Sequence, residues 1–424
     1  MEQRSLYSLN GFLVAIMLIA GGTYFKLLGL QTPLVILVFG IAIYGSLKEP
    51  FEIREFAKLI GVLALLTGLQ LFQSVRTSGY DIMSTQYIRS LFEVGGAFFL
   101  AKRFHRREVN FVWTVNTWLH ILIIHALISV LAVRITGSRS IFLTSQDANA
   151  FYYGVNPLLM VRGATDSDGH IVHSNLFGLG LERAHGIFWE PSVFVNYVAV
   201  YLYINLFLSL NLRKVLLGLV AMVMAYSSTG LLLAAILVFL FTFYPGSSLG
   251  AKAKLRLRRL RYIMIIAGIP AVYWVLQLNI TSFFSDSRKL GSVSQRFYDT
   301  IGAVLSIAER PFWGSGTNLD SYSNALSSNE NFQKLSRLIS NFDLNAKSEI
   351  KYSNSMLRYF VKYGIPSGLL FFYGLWNQTL IRSKTKWILF IVIVVGTSFS
   401  PILELSFFST FLYSGLFFNA KLES

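Results

Sequence analysis

Cysteine is absent from this 424-residue chain. Its absence excludes disulfides, thiolate-bound zinc and a thiol nucleophile. A translocated surface without disulfides fits a bacterial inner membrane. Charge is thin as well: 14% of the residues are charged, where a soluble globular chain carries about 25%. Acidic residues are outnumbered, 21 against 37 basic ones, for a formal charge of +16. The N-terminus lacks a small-residue cleavage site after its first apolar run, so that run is expected to persist as a helix.

What fills the chain instead is apolar: 54% of it is hydrophobic and the mean hydropathy is +0.54. This is the composition of an integral membrane protein. Runs long enough to cross roughly 30 Å of hydrocarbon number about twelve. They centre near Ile16, Ile36, Leu65, Gly95, Ile123, Ala199, Met222, Val238, Ala267, Leu370, Ile393 and Phe411. The fourth contains Arg89 and Glu93, while Pro401 and Glu404 interrupt the last apolar stretch. The expected fold class is an all-α polytopic membrane protein, one integral membrane domain over residues 1–424.

Positive charge gathers in alternate short connections: Lys48, Arg54 and Lys58; Lys102, Arg103, Arg106 and Arg107; Arg213 and Lys214; Lys252 to Arg261; Arg382, Lys384 and Lys386. By the positive-inside rule these face the cytoplasm, and so do both termini. The surplus is a topology signal, and nucleic acid is not an expected partner. The run from Lys252 to Arg261 reads as an anchor near anionic membrane lipids.

Two long segments then lie outside, residues 134–186 and 281–355, marked by Asn156-Pro157, Asp168-Gly169 and Gly314-Ser315-Gly316 as turn signals. In the second, Phe297, Ile301, Val304, Leu305 and Ala308 follow helical spacing after Ser292 and Ser294. Phe332, Leu335, Leu338, Ile339 and Phe342 form another apolar stripe. Such short helices either lie in the interface as a lid over a lateral opening or pack on the bundle. Asp166 to His173 has the look of a metal loop, but its glycine comes too early for an EF-hand and no later glutamate closes it. It is read as a polar turn; no metal and no cofactor are expected. His120 and His125 are expected to be packed or hydrogen-bonded in the fifth helix, and Trp189 and Trp313 are candidates to stack on sugar faces.

Arg183-Ala-His-Gly-Ile-Phe-Trp-Glu190-Pro191-Ser192 puts ionisable groups at the mouth of an apolar helix. Charge at a lipid boundary is costly and usually functional. Proline favours the first helical position and holds the residue before it extended, so Glu190 is expected at the helix entrance with Ser192 in the first turn. Helix N-termini attract anions, and Arg183 adds a planar cation suited to phosphate oxygens. One reading is a site for an anionic lipid headgroup beside a carboxylate base. The other has Arg183 and Glu190 paired as loop structure. In the second external segment, Ser294-Gln-Arg296 opens the first amphipathic helix and Glu309-Arg310-Pro311-Phe-Trp-Gly314-Ser-Gly316 closes it. Ser353-Asn354-Ser355, Arg358 and Lys362-Tyr-Gly364 then enter the tenth membrane helix. The arginines there are phosphate binders or ordinary snorkelling groups.

In order, R-x-x-G-x-F-x-E-P-S, Ser228-Thr229-Gly230, S-x-x-x-R, R-P-F-x-G-x-G and S-N-S before K-Y-G resemble the O-antigen polymerase and ligase superfamily, bacterial membrane glycosyltransferases of the Wzy and WaaL types. The resemblance implies a GT-C-like helical frame in the inner membrane, with the active site facing the periplasm. It also implies undecaprenyl-diphosphate-linked repeat units as substrates, metal-independent transfer that inverts the anomeric centre if it is a single displacement, and a chain-length regulator as a further partner. Polymerases extend the lipid-linked glycan; ligases move it to lipid A core. Many ligases carry histidine before the asparagine where this chain has Ser353, which favours polymerase.

On this reading Arg183 and Arg296 stabilise the departing diphosphate, Glu190 is the base and His185 its reserve. Arg310, Arg358, Asn354, Ser353 and Ser192 bind substrate. The competing classes are a lipid-linked oligosaccharide flippase and an O-antigen ligase. A flippase calls for short external loops and ionisable groups along a midplane cavity, which this sequence does not offer.

Overall fold

The structure, a computed structural model, describes residues 8–23, 30–47, 52–76, 85–104, 108–136, 143–146, 151–156, 159–165, 171–172, 183–188, 190–244, 299–316, 330, 333–334, 354–400 and 402–418. Its helices are α1 (Leu9–Ala20), α2 (Gln31–Ser46), α3 (Ile53–Arg76), α4 (Thr85–Phe104), α5 (Glu108–Thr136), α6 (Pro191–Tyr203), α7 (Leu212–Met224), α8 (Ser228–Phe243), α9 (299–309), α10 (Ser355–Trp376), α11 (Lys386–Phe399) and α12 (Ser406–Phe417). A π-helical turn, Ile204–Leu208, prolongs α6. Every expected apolar centre lies in one of these helices except Ala267, which is outside the described residues. Among the described residues, three segments are long and apolar enough to span a bilayer: Ile53–Val75, Asn110–Leu131 and Pro191–Leu208. The chain divides into two compact units. One comprises Met1–Gln31, Arg107–Arg261 and Ser383–Gly396; the other comprises Thr32–Arg106, Tyr262–Arg382 and Thr397–Ser424.

The first unit is built around α6. From Val193 to Ile204 this helix is apolar or aromatic nearly all round, and all of it is buried, as such a pattern requires. Its neighbours come close because they present glycine. A Cβ on Gly230 of α8 would stand 2.7 Å from Val195 Cγ1, and one on Gly218 of α7 2.6 Å from Leu202 Cδ2. Small residues serve the same end at other membrane helix contacts. Polar groups inside the unit pair off: Asn205 Nδ2 donates to Asn116 Oδ1 at 2.7 Å, and His120 Nδ1 meets the Tyr201 hydroxyl at 2.7 Å. His120 is therefore hydrogen-bonded, as expected. Trp118 Nε1 donates to Gly11 O at 3.0 Å, tying α5 to α1.

The first long connection adds a small sheet to the helical frame. Strands β1 (Leu143–Gln146), β2 (Phe151–Asn156), β3 (Leu159–Thr165) and β4 (Ile171–Val172) form an antiparallel meander in sequence order. Asn156 pairs with Leu159 and Thr165 with Ile171, so both turn signals read from the sequence separate strands. Aromatic and β-branched residues between those turns favour the extended form. The sequence suggests only a long external segment with turns here, and Gly154 and Gly163 interrupt a clean alternation.

The second unit centres on α4, α10 and α12. Gly374 of α10 and Gly415 of α12 permit close passage: a Cβ on Gly415 would stand 2.5 Å from the Asn377 carbonyl carbon. Phe98 of α4 meets Phe417 edge to face at 5.1 Å. Helix α9 forms where the periodicity predicts it, but another face is covered. Asp299, Ala303 and Ser306 are buried, whereas Val304 is exposed. The apolar stripe 332–342 lies outside the described residues, apart from 333–334.

Candidate functional site

In the first unit, the segment before α6 is shaped by its own short hydrogen bonds. Gly186 adopts φ +54, where a Cβ would press on Ala126 of α5 at 3.0 Å, so the turn needs glycine. His185, buried at 1% exposure, meets Phe188 O through Nδ1 at 2.5 Å. Phe188 in turn bridges to Thr23 and packs on Tyr197 with ring centres 4.6 Å apart. His185 thus sits inside the turn and sets its shape, a role that sequence reasoning did not assign to it.

Glu190 is the N-cap of α6, extended at φ −145 and ψ 143, with Pro191 at the first helical position. This is the expected geometry. Ser192 Oγ donates to Glu190 Oε2 at 2.7 Å, which fixes the carboxylate at the helix entrance. Arg183 is held elsewhere in the same unit: its Nε donates to Ala225 O at 3.1 Å, and Ala184 N donates to Met224 O at 2.9 Å. The last carbonyls of α7 therefore receive the guanidinium, the favourable end of a helix for a cation. Tyr226 follows at φ +45 and leads into Ser228-Thr229-Gly230 at the start of α8. Gly230 is there for close packing on α6.

In the second unit the turn after α9 meets a broken helix. Gly364 interrupts α10 at φ 76 and ψ 170, with Pro366 just beyond. The break leaves carbonyls without helical partners, and the turn supplies donors: Ser315 N to Val361 O at 2.6 Å and Gly316 N to Lys362 O at 3.0 Å. Ile365 N donates back to Pro311 O at 2.7 Å. Gln73 at the end of α3 adds its Nε2, 2.7 Å from Trp313 O and 3.3 Å from Lys362 O. Irregular buried backbone is tolerated when protein groups satisfy it in this way. The R-P-F-W-G-S-G and K-Y-G motifs are thus two halves of one joint.

Beside the joint lies a charged network that the sequence reading did not assemble. Glu404, between α11 and α12, pairs with Arg358 Nε at 3.1 Å and with Lys362 Nζ. Arg89 donates through Nη2 to Glu404 O at 2.7 Å and through Nε to Glu93 Oε1 at 2.8 Å. Burial alone would raise the Glu404 carboxyl, but Arg358, Lys362 and Arg89 outweigh it and hold it well below the carboxylate range. Three cations thus face two carboxylates. Arg89 and Glu93, four apart within an apolar run, were the available signal; their distant partner Glu404 was not legible from spacing.

The remaining predicted site residues divide. Asn354 is the N-cap of α10, its Oδ1 accepting from Leu357 N at 3.0 Å. Ser355, fully buried, donates to Ser400 O at 2.9 Å. Arg358 is engaged by Glu404. Arg310 sits at the C-terminal end of α9, and its guanidinium has no partner among the described residues. Arg296 and Ser353 lie outside the described residues. Among the described residues no group of three or more His, Asp or Glu could hold a metal.

The family model described as O-antigen ligase matches residues 215–373. This stretch holds the Ser228-Thr229-Gly230 start of α8, the turn after α9 and the broken α10. It stops short of Glu404 and begins after Arg183 and Glu190. The match supports the O-antigen polymerase and ligase superfamily. No curated protein and no solved structure matches the chain.

Proposed function

We propose that this membrane protein, an enzyme of the O-antigen ligase and polymerase kind by its central segment, is a polymerase. It would transfer a growing undecaprenyl-diphosphate-linked glycan onto the next lipid-linked repeat unit on the periplasmic side of the bacterial inner membrane. The observation that carries the reading is the α6 entrance: a carboxylate N-cap oriented by Ser192, preceded by an arginine fixed through its Nε. The acceptor hydroxyl attacks C1 of the donor sugar while the bond from C1 to the diphosphate oxygen breaks. The electron pair leaves with the lipid diphosphate and the hydroxyl proton passes to Glu190, general-base work suited to a positioned carboxylate. Charge that builds on the diphosphate is met by guanidinium groups, for which planar, charge-assisted hydrogen bonds are well suited. Arg183 takes this role. His185, buried within its turn, keeps the segment in shape. One displacement inverts the anomeric centre.

The family description names a ligase, so the second reading is transfer to lipid A core. Against it stands Ser353 in the place of the ligase histidine. In cells deleted for the gene and complemented with Arg183→Ala, long polysaccharide is expected to vanish while single lipid-linked repeats persist. Normal chain-length ladders in that variant would sink the proposal. With the wild type, purified lipid-linked repeats alone separate the readings: a polymerase lengthens them, a ligase needs lipid A core.

A further inference from the structure

The turn after α9 does more than complete α10. It presents a recess of about 220 Å³ lined by Phe72, Gln73, Glu309, Arg310, Phe312 and Trp313, with Pro311 and Gly314 as its backbone. Trp313 is 50% exposed and Phe312 is also exposed. The Trp313 ring leans on Phe72, with centres 4.9 Å apart and planes at 41°. Its carbonyl is held by Gln73 and its neighbour Gly314 is locked against Gly364. A flat aromatic platform on a fixed backbone, beside the Glu309 carboxylate and the Arg310 guanidinium, is a preorganised surface.

We propose that this recess is a saccharide subsite: one pyranose ring of the glycan stacks on Trp313, and Glu309 and Arg310 take its polar substituents. The inference rests on the transferase reading for the identity of the glycan. A pyranose has an apolar C–H face, which suits an aromatic ring, and an edge of hydroxyls. A carboxylate accepts from those hydroxyls, and a guanidinium donates to them or to an acidic substituent. The recess is smaller than the ~300–1,000 Å³ of pockets for drug-sized ligands, a size for one ring rather than a whole repeat unit. A tryptophan that only anchors the protein at the membrane interface has no use for a recess with a charge of each sign.

The test uses the full-length protein in lipid nanodiscs and calorimetric titration with oligosaccharide freed by mild acid from the host's own surface polysaccharide. That probe carries neither lipid nor diphosphate, so it reports this subsite apart from any phosphate site. Saturable binding is expected for the wild type, weakened about tenfold or more in Trp313→Ala, as for loss of an aromatic stacking platform. Trp313→Phe is expected to stay within about threefold, and Glu309→Gln to weaken binding by about threefold to tenfold as one charge-assisted hydrogen bond is lost. Should Trp313→Ala fail to fold, Glu309→Gln decides the matter. No binding by the wild type overturns the proposal, as does wild-type binding by the folded Trp313→Ala or, in its place, by Glu309→Gln. Unchanged sugar binding with impaired bilayer stability in Trp313→Ala marks Trp313 as a membrane anchor and equally overturns the subsite. The ladder experiment on Arg183→Ala judges the transferase reading separately, so either can fail alone.

Discussion

The amide nitrogen of Gly364 lies 2.6 Å from the point where a Cβ on Gly314 would stand. Both glycines have positive φ, +67 and +76, so an L side chain at either meets backbone strain as well as overlap. Neither neighbour can move aside, because the atoms it would strike are main chain.

Gly314→Ala and Gly364→Ala are each expected to destabilise the protein by about 3 kcal/mol or more, the scale of combined overpacking and backbone strain. Gly40→Ala is the control: nothing lies within 4 Å of its added Cβ, and a helical alanine gains about 0.5–1 kcal/mol over glycine. Thermal unfolding in detergent checks the contrast. Equal melting temperatures for all three variants would dismiss the joint as a structural requirement.

Glu404→Ala removes the counter-charge from Arg358 and Lys362 together. Breaking a buried pair by deleting one partner costs about 3–5 kcal/mol, so a large fall in melting temperature is expected. Acid should reproduce part of that loss. The Glu404 carboxyl is held well below its ordinary value of 4.5, so its contribution is complete above that value and fades as pH falls toward the depressed one. In Glu404→Gln that segment of the acid limb should flatten, as read from melting temperature against pH.

Asn354→Ala is expected to cost about 1 kcal/mol through loss of the α10 cap. Asn354→Asp and Asn354→Ser, which cap as well, should restore stability. If either restores stability but leaves polysaccharide synthesis lost, Asn354 has a role in substrate handling beyond its cap.

Glu190→Gln keeps the extended N-cap and Pro191 but removes the base, so transfer is expected to fall by about 10²–10⁴-fold with little change in stability. Ser192→Ala loosens the carboxylate without removing it and should cost about tenfold, within the range for one hydrogen bond to a charged group. In vitro extension of lipid-linked repeats reads both. Equal rates for Glu190→Gln and the wild type would remove Glu190 from the chemistry.

Much of the helical frame was legible because apolar run length is a strong signal: the centres at Ile16, Leu65 or Phe411 needed no tertiary information. The α6 entrance was legible too, since Glu190-Pro191 fixes an N-cap by covalent geometry. Three things were not. The sheet at 143–172 lies between glycines and turns that blur its alternation. Helix α9 has a regular apolar stripe, yet its small and polar face is the one packed inward, a choice made by neighbours rather than by periodicity. Glu404 looked like an interruption, because its three cations come from α4 and α10, far away in the chain. Asn354 and Arg358 stand in the sequence as candidate site residues; their cap and ion pair depend on three-dimensional partners.

The break at Gly364 also bears on the order in which the protein is made. The groups that satisfy its exposed carbonyls, Gln73 and the amides of Ser315 and Gly316, all precede α10 in the chain. They have left the ribosome before the bent helix emerges, so its unpaired carbonyls have partners waiting when it folds. A rearranged gene that places α10 ahead of residues 311–316 would reverse that sequence of events, leaving a broken helix with too few groups to mend it.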